Sequence, residues 1–100
     1  MNDITSIGVI GLGNAGTPIL NNLNQTNKYK LVAFDIDTKK LNDVPDNVFK
    51  ATSVKDIAEQ SNLVLTCLPK PEHVLEVVDG KDGLLQNAST GMVWIDTSTT

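Results

Sequence analysis

One hundred residues make one domain at most, and 40% hydrophobic residues supply enough apolar mass for a single core. Eight lysines and no arginine stand against twelve acids, a net charge of −4, which excludes the basic face of a nucleic-acid binder. A lone cysteine, Cys67, excludes an internal disulfide and a cysteine-held zinc, and no apolar run reaches the ~18 residues of a membrane span.

Short apolar runs alternate with stretches of helical period, the pattern of βαβ units. The acidic opening Met1-Asn2-Asp3 leads at once into such a run and leaves no room for a targeting peptide, so a cytoplasmic protein is expected. Ile4 to Ile10 predicts the first strand, bounded by Gly11. Ile19, Leu20 and Leu23 share one face of a helix ending near Asn24. Pro18, which lacks an N–H, belongs near that helix's start and puts it at about Asn14. Leu31 to Phe34 predicts the second strand, followed by Asp35 and Asp37. Lys39 to Leu41 forms one helical turn, Asn42 to Asn47 a loop, and Val48 to Ala51 a third strand. Ser53 caps a helix carrying Val54, Ile57 and Ala58, with Asp56 as the acidic partner of a capping box.

Leu63 to Leu68 is almost unbroken in apolarity and predicts a fourth strand covered on both faces. Cys67 within it reads as a small buried hydrophobe. Pro69 and Pro71 end the strand, and Pro71 opens a helix through Val74, Leu75, Val77 and Val78 that a left-handed Gly80 terminates. After a turn at Ser89 to Gly91, Met92 to Ile95 predicts the fifth strand, with Trp94 on a covered sheet face. This order predicts an α/β domain over residues 1–100, a doubly wound parallel sheet with strands ordered 3-2-1-4-5.

Gly11, Gly13 and Gly16 form G-x-G-x-x-G. Alone the pattern is weak, and a glycine-rich turn without a ligand would look the same. Here it follows a strand, opens a helix and precedes an acid at the end of the second strand. In that setting the first glycine allows a tight turn, the second lets a pyrophosphate approach the backbone closely, and the third lets helix pack on strand. The helix start offers unpaired N–H groups to the phosphates. Asp35, at the strand tip, would accept hydrogen bonds from the adenosine ribose, whereas Asp37 falls in the turn as a solvated acid. A carboxylate at Asp35, followed by Ile36 and with no arginine nearby, points to NAD rather than NADP; Lys39 and Lys40 are the only close cations.

The run Gly8-Val9-Ile10-Gly11-Leu12-Gly13-Asn14-Ala15-Gly16-Thr17-Pro18, with Asn22-Leu23, then Cys67-Leu68-Pro69, then Gly80 with Gly83-Leu84-Leu85, and finally Ile95-Asp96-Thr97-Ser98-Thr99, resembles the β-hydroxyacid dehydrogenases. That family includes 3-hydroxyisobutyrate dehydrogenase, tartronate semialdehyde reductase and, more distantly, 6-phosphogluconate dehydrogenase. The resemblance covers nearly the whole chain, departing at Ala15, where the family usually has Met, and at Leu20, where it usually has a small residue.

It implies a Rossmann-type sheet, truncated after about five strands, whose cofactor NAD is held by Gly11, Leu12, Gly13, Asn14, Ala15, Gly16 and Asp35. By the same resemblance Leu68 and Pro69 after the fourth strand and Thr99 after the fifth would line the cofactor. His73 would contact it too, although an exposed helix histidine is an equal reading. The fold rule agrees, since ligands of open α/β sheets sit beyond the carboxyl ends of the strands where the order reverses.

The family's proton-transfer lysine and its glycine-rich substrate loop do not occur in residues 1–100. The expectation is therefore the N-terminal NAD-binding part of an oxidoreductase acting on a small 3-hydroxy acid, inactive alone, with no catalytic residue, metal, nucleic acid or membrane partner of its own. The fifth strand, left as an open edge, is expected to support self-association. A non-catalytic nucleotide-sensing module is the alternative, and a methyltransferase, which also uses a glycine loop and an acid after the second strand, is a third.

Overall fold

All five residues of the first strand, β1 (Ser6–Ile10), are buried, which fits a place at the centre of a sheet covered on both faces. The computed structural model describes residues 4–68, 70–80, 83–84 and 92–97, without the side chain of Pro71. After β1 come α1 (Gly16–Thr26), β2 (Lys30–Phe34), a 3-10 helix over Thr38–Asp43, β3 (Phe49–Lys50), α2 (Val54–Gln60), β4 (Leu63–Thr66), α3 (Pro71–Asp79) and β5 (Val93–Asp96). The five strands form one parallel sheet in the order β3-β2-β1-β4-β5, as the sequence predicts.

Alternation along the strands divides the core in two. Ile7 and Val9 of β1 and Leu31 and Ala33 of β2 pack with Leu20 of α1 on one face. Ile10, Val32 and Val64 pack with Ile57 and Ala58 of α2 and Val78 of α3 on the other. Leu20, where the resembled family is usually small, is only 1% exposed, so its extra bulk is absorbed in the first of these layers. Among the described residues no helix is long and apolar enough to cross a membrane.

The chain departs from the sequence reading at several ends. α1 begins at Gly16 rather than Asn14, because residues 13–15 are spent on the turn, and Pro18 is its third residue. Its end lies at Asn27, left-handed with φ 54°, whose N–H closes on the Asn24 carbonyl. Ser53 caps α2 as expected by accepting the Asp56 N–H at 3.0 Å, but Asp56 reaches back to the Thr52 N–H at 2.9 Å, one residue before the cap.

Gly80 ends α3 in an extended conformation (φ −72°, ψ 171°), not a left-handed one. Its N–H bonds the Glu76 carbonyl, and a Cβ there would stand 2.3 Å from that oxygen; close approach, not handedness, calls for glycine. Trp94, expected to be covered, is 39% exposed on β5 and anchored by its indole N–H on the Thr66 hydroxyl. The turn expected at Ser89 to Gly91 lies outside the described residues.

Candidate functional site

The sheet ladder continues one step past several strands. Gly11 N–H donates to the Phe34 carbonyl at 2.9 Å, Cys67 N–H to Ile10 at 2.8 Å and Thr97 N–H to Thr66 at 2.9 Å. The chain therefore leaves β1, β4 and β5 at one common edge. Cys67 is buried there, its Sγ 2.9 Å from the Thr97 hydroxyl oxygen.

At that edge the three glycines divide the work. Gly11 has φ +97°, and a Cβ on it would lie 2.4 Å from the Cys67 carbonyl oxygen, so both the turn and the packing demand glycine. Gly16 brings α1 so close to β1 that a Cβ would stand 1.8 Å from the Gly11 oxygen. Among the described residues a Cβ on Gly13 would meet only the Lys40 ammonium, at 3.9 Å, so this glycine leaves its backbone open to a ligand. The N–H groups of Gly13, Asn14 and Ala15 donate to no described residue. They open α1, where the helix dipole favours an anion.

Asp35 does more than the sequence suggested. It is buried, and its Oδ2 accepts the Leu12 N–H at 2.7 Å while Oδ1 accepts the Asp37 N–H at 2.8 Å. The carboxylate thus pins the glycine loop to the tip of β2. Two ionised oxygens have about four acceptor positions, so two remain for further donors. Asp37 instead caps the 3-10 helix by accepting the Lys39 N–H at 3.1 Å.

Beyond this edge lies a cleft of about 750 Å³. Of the residues singled out in the sequence, Gly11, Gly13, Asn14, Ala15, Asp35, Leu68 and His73 line it. Leu12 and Gly16 do not: Leu12 turns its side chain into the core beside α1, and Gly16 is buried in the helix–strand contact. Pro69 and Thr99 lie outside the described residues.

Sequence reasoning missed several walls of the cleft. Thr52, Ser53 and Val54 arrive from the far side through the β3–α2 connection, and Lys40 rather than Lys39 is the lysine that reaches in. Glu76 and Val77 follow His73 at three and four residues along α3, a helical stripe that the spacing from His73 makes legible. Among the described residues no group of three His, Cys, Asp or Glu side chains could hold a metal.

Residues 6–100 match the family described as the NAD binding domain of 6-phosphogluconate dehydrogenase. The mitochondrial 3-hydroxyisobutyrate dehydrogenase of Rattus norvegicus is 35% identical over 98 residues, covering 95% of this chain and 28% of that protein. The human counterpart is 34% identical with the same coverage. The chain therefore spans under a third of the length of these relatives. The structure of Mycobacterium tuberculosis 3-hydroxyisobutyrate dehydrogenase with L-serine superposes with a TM-score of 0.83 at 26% identity, over 97% of this chain and 32% of that one. An imine reductase from Myxococcus stipitatus in complex with NADP+ shares the fold, with a TM-score of 0.85 at 14% identity over 95% of this chain and 32% of that one.

Proposed function

Because this chain belongs to the family of the NAD-binding domain of 6-phosphogluconate dehydrogenase, we propose that it is the cofactor-holding part of an oxidoreductase that moves hydride between NAD and the hydroxyl-bearing carbon of a small 3-hydroxy acid. The observation that carries this reading is the junction of the glycine loop with Asp35. Gly13, Asn14 and Ala15, whose N–H groups donate to no described residue, line the cleft beside a carboxylate that still has acceptor positions. In this reading Gly13, Asn14 and Ala15 hold the pyrophosphate, and Asp35 holds the adenosine ribose. Leu68 and His73 flank the bound cofactor, and NAD supplies the hydride acceptor.

Lys40 is the one described lysine lining the cleft, and it stands over the glycine loop. That is the phosphate end of the cofactor, so among the described residues no lysine is placed to move the hydroxyl proton. The chain alone is accordingly expected to produce no NADH from 3-hydroxyisobutyrate, because such groups contribute ~10² to 10⁴-fold. Production above a heat-killed control overturns that assignment.

The preference for NAD over NADP follows from charge. A 2′-phosphate would face Asp35, a repulsion of up to ~4 kcal/mol at about 4 Å and an effective dielectric of 20. Lys40, whose ammonium stands beside the glycine loop, softens it. Titration by cofactor fluorescence is expected to show NADH binding at least about tenfold tighter than NADPH, a gap of ~1.4 kcal/mol. In Asp35→Ser that gap should close. Equal or tighter NADPH binding by the unmutated protein overturns the assignment of Asp35.

A further inference from the structure

The 3-10 helix brings a cation to the glycine loop from outside the loop's own sequence. We propose that Lys40 is a further cofactor-binding residue, its ammonium adding a charged donor for the pyrophosphate to the N–H groups at the start of α1. This rests on the NAD reading above, which puts the pyrophosphate on Gly13, Asn14 and Ala15.

One carboxylate sets the two elements against each other. Asp35 takes the Leu12 N–H of the glycine loop at 2.7 Å with one oxygen and the Asp37 N–H at 2.8 Å with the other. Asp37 in turn accepts the Lys39 N–H on its carboxylate and the Lys40 N–H on its carbonyl, each at 3.1 Å, and so starts the 3-10 helix. Such a helix has about three residues per turn, so successive side chains leave it in different directions. Lys40 lines the cleft and Lys39 does not. The Lys40 ammonium ends 3.9 Å from the point where a Gly13 Cβ would stand, on the side of Gly13 that carries no side chain.

That ammonium is uncommitted. Asp35, Asp37 and Glu76 also line the cleft, yet the Lys40 side chain makes no hydrogen bond or ion pair with any described residue. Counting carboxylates and ammonium groups alone, the described lining carries three negative charges against one positive. A pyrophosphate brings about two more negative charges, and the carboxylates repel it. Lys40 and the positive end of α1 are the features that offset this repulsion, and they stand side by side. A bond from an ammonium to a phosphate oxygen is roughly twice as strong as a neutral one, and lysine serves a phosphate as a point charge. Lys40 is exposed, so water and salt screen it and its effect is several-fold rather than decisive.

The test is a fluorescence titration of the protein with NADH at about 0.01 M and about 1 M salt, repeated on Lys40→Met, Lys40→Arg and Lys39→Met. Lys39 and Lys40 are both exposed, so none of these substitutions disturbs the core. Lys40→Met is expected to weaken NADH about fivefold at low salt and less than about twofold at high salt, where the Debye length is ~3 Å. Lys40→Arg, which keeps the charge, should stay within about twofold of the unmutated protein. Lys39→Met removes the same charge from the same helix and should also stay within about twofold, which separates a local contact from net charge. Unchanged NADH affinity in Lys40→Met overturns the proposal while leaving the NAD reading standing. So does an equal loss in Lys39→Met, or a loss that is the same at both salt concentrations. Failure of NADH to bind the unmutated protein overturns both.

Discussion

The two ends of the same sheet are built on opposite plans. At the amino ends of β1 and β4, Asn62 Oδ1 accepts the Thr5 N–H and hydroxyl at 2.8 Å and the Ser6 N–H at 2.9 Å. The Asn62 N–H goes to the Ser6 carbonyl, and its own carbonyl takes the Val93 N–H. One residue there closes the polar groups of neighbouring strands on each other. At the carboxyl ends Asp35 ties the Leu12 N–H to the tip of β2, yet Gly13 to Ala15 line a cleft with N–H groups that have no described partner. At one end a side chain closes the neighbouring N–H groups; at the other a row of them meets no described partner. The difference marks where a ligand can be gained without breaking structure, since an unmet donor costs least when a partner arrives from solution.

Breaking the open end should have the largest effect. In Gly16→Ala the new Cβ would stand 1.8 Å from the Gly11 oxygen, so α1 must move off β1. We expect a loss of about 3 kcal/mol in urea unfolding, the upper part of the overpacking range. NADH affinity should fall more than about tenfold, because the displaced helix carries the phosphate donors. Unchanged affinity would mean that the helix start is not part of the site.

Breaking the closed end should separate stability from binding. Asn62→Ala strands the Thr5 and Ser6 N–H groups, and water can reach part of the cluster, so a loss of about 1–2 kcal/mol is expected. NADH affinity should stay within about twofold among molecules that remain folded. A fall in affinity as large as that of Gly16→Ala would show that the two ends are coupled.

The smallest effect tests the rim of the cleft, where Asp56 organises the start of α2. The Thr52 N–H holds its carboxyl below the usual carboxylate value; partial burial works against this, and bonds from Gln60 and the Thr52 hydroxyl, with the charge of Lys30, add to it. A carboxylate lowered on folding stabilises fully above its unfolded value of ~3.9, and that contribution is lost as pH falls through the lower folded value. Asp56→Asn should therefore cost about 0.5 kcal/mol at neutral pH, as expected of an acid largely screened by water in a first helical turn. The deficit should shrink below about pH 4 in paired unfolding curves. A deficit independent of pH would assign the effect to shape rather than charge.

Much of this was written in local signals. Glycine spacing, the Ser53 cap, Pro71 at the start of α3 and the apolar runs act within a few residues, so they determined by themselves the five strands, their order and the loop that opens α1. What tertiary structure decided are pairings made across the crossovers. Asp35 finds Leu12 across 23 residues, and Asn62 finds Thr5 across 57. Lys40 leans over Gly13 while its neighbour Lys39 does not line the cleft, a distinction no spacing predicts because it depends on how the 3-10 helix is set against the glycine loop. Ser53 and Glu76 share one cleft because α2 and α3 pack on the same face of the sheet. Gly80 shows the same limit from the other side. Its position at a helix end was legible, but whether handedness or crowding required glycine was settled by where the Glu76 carbonyl came to lie.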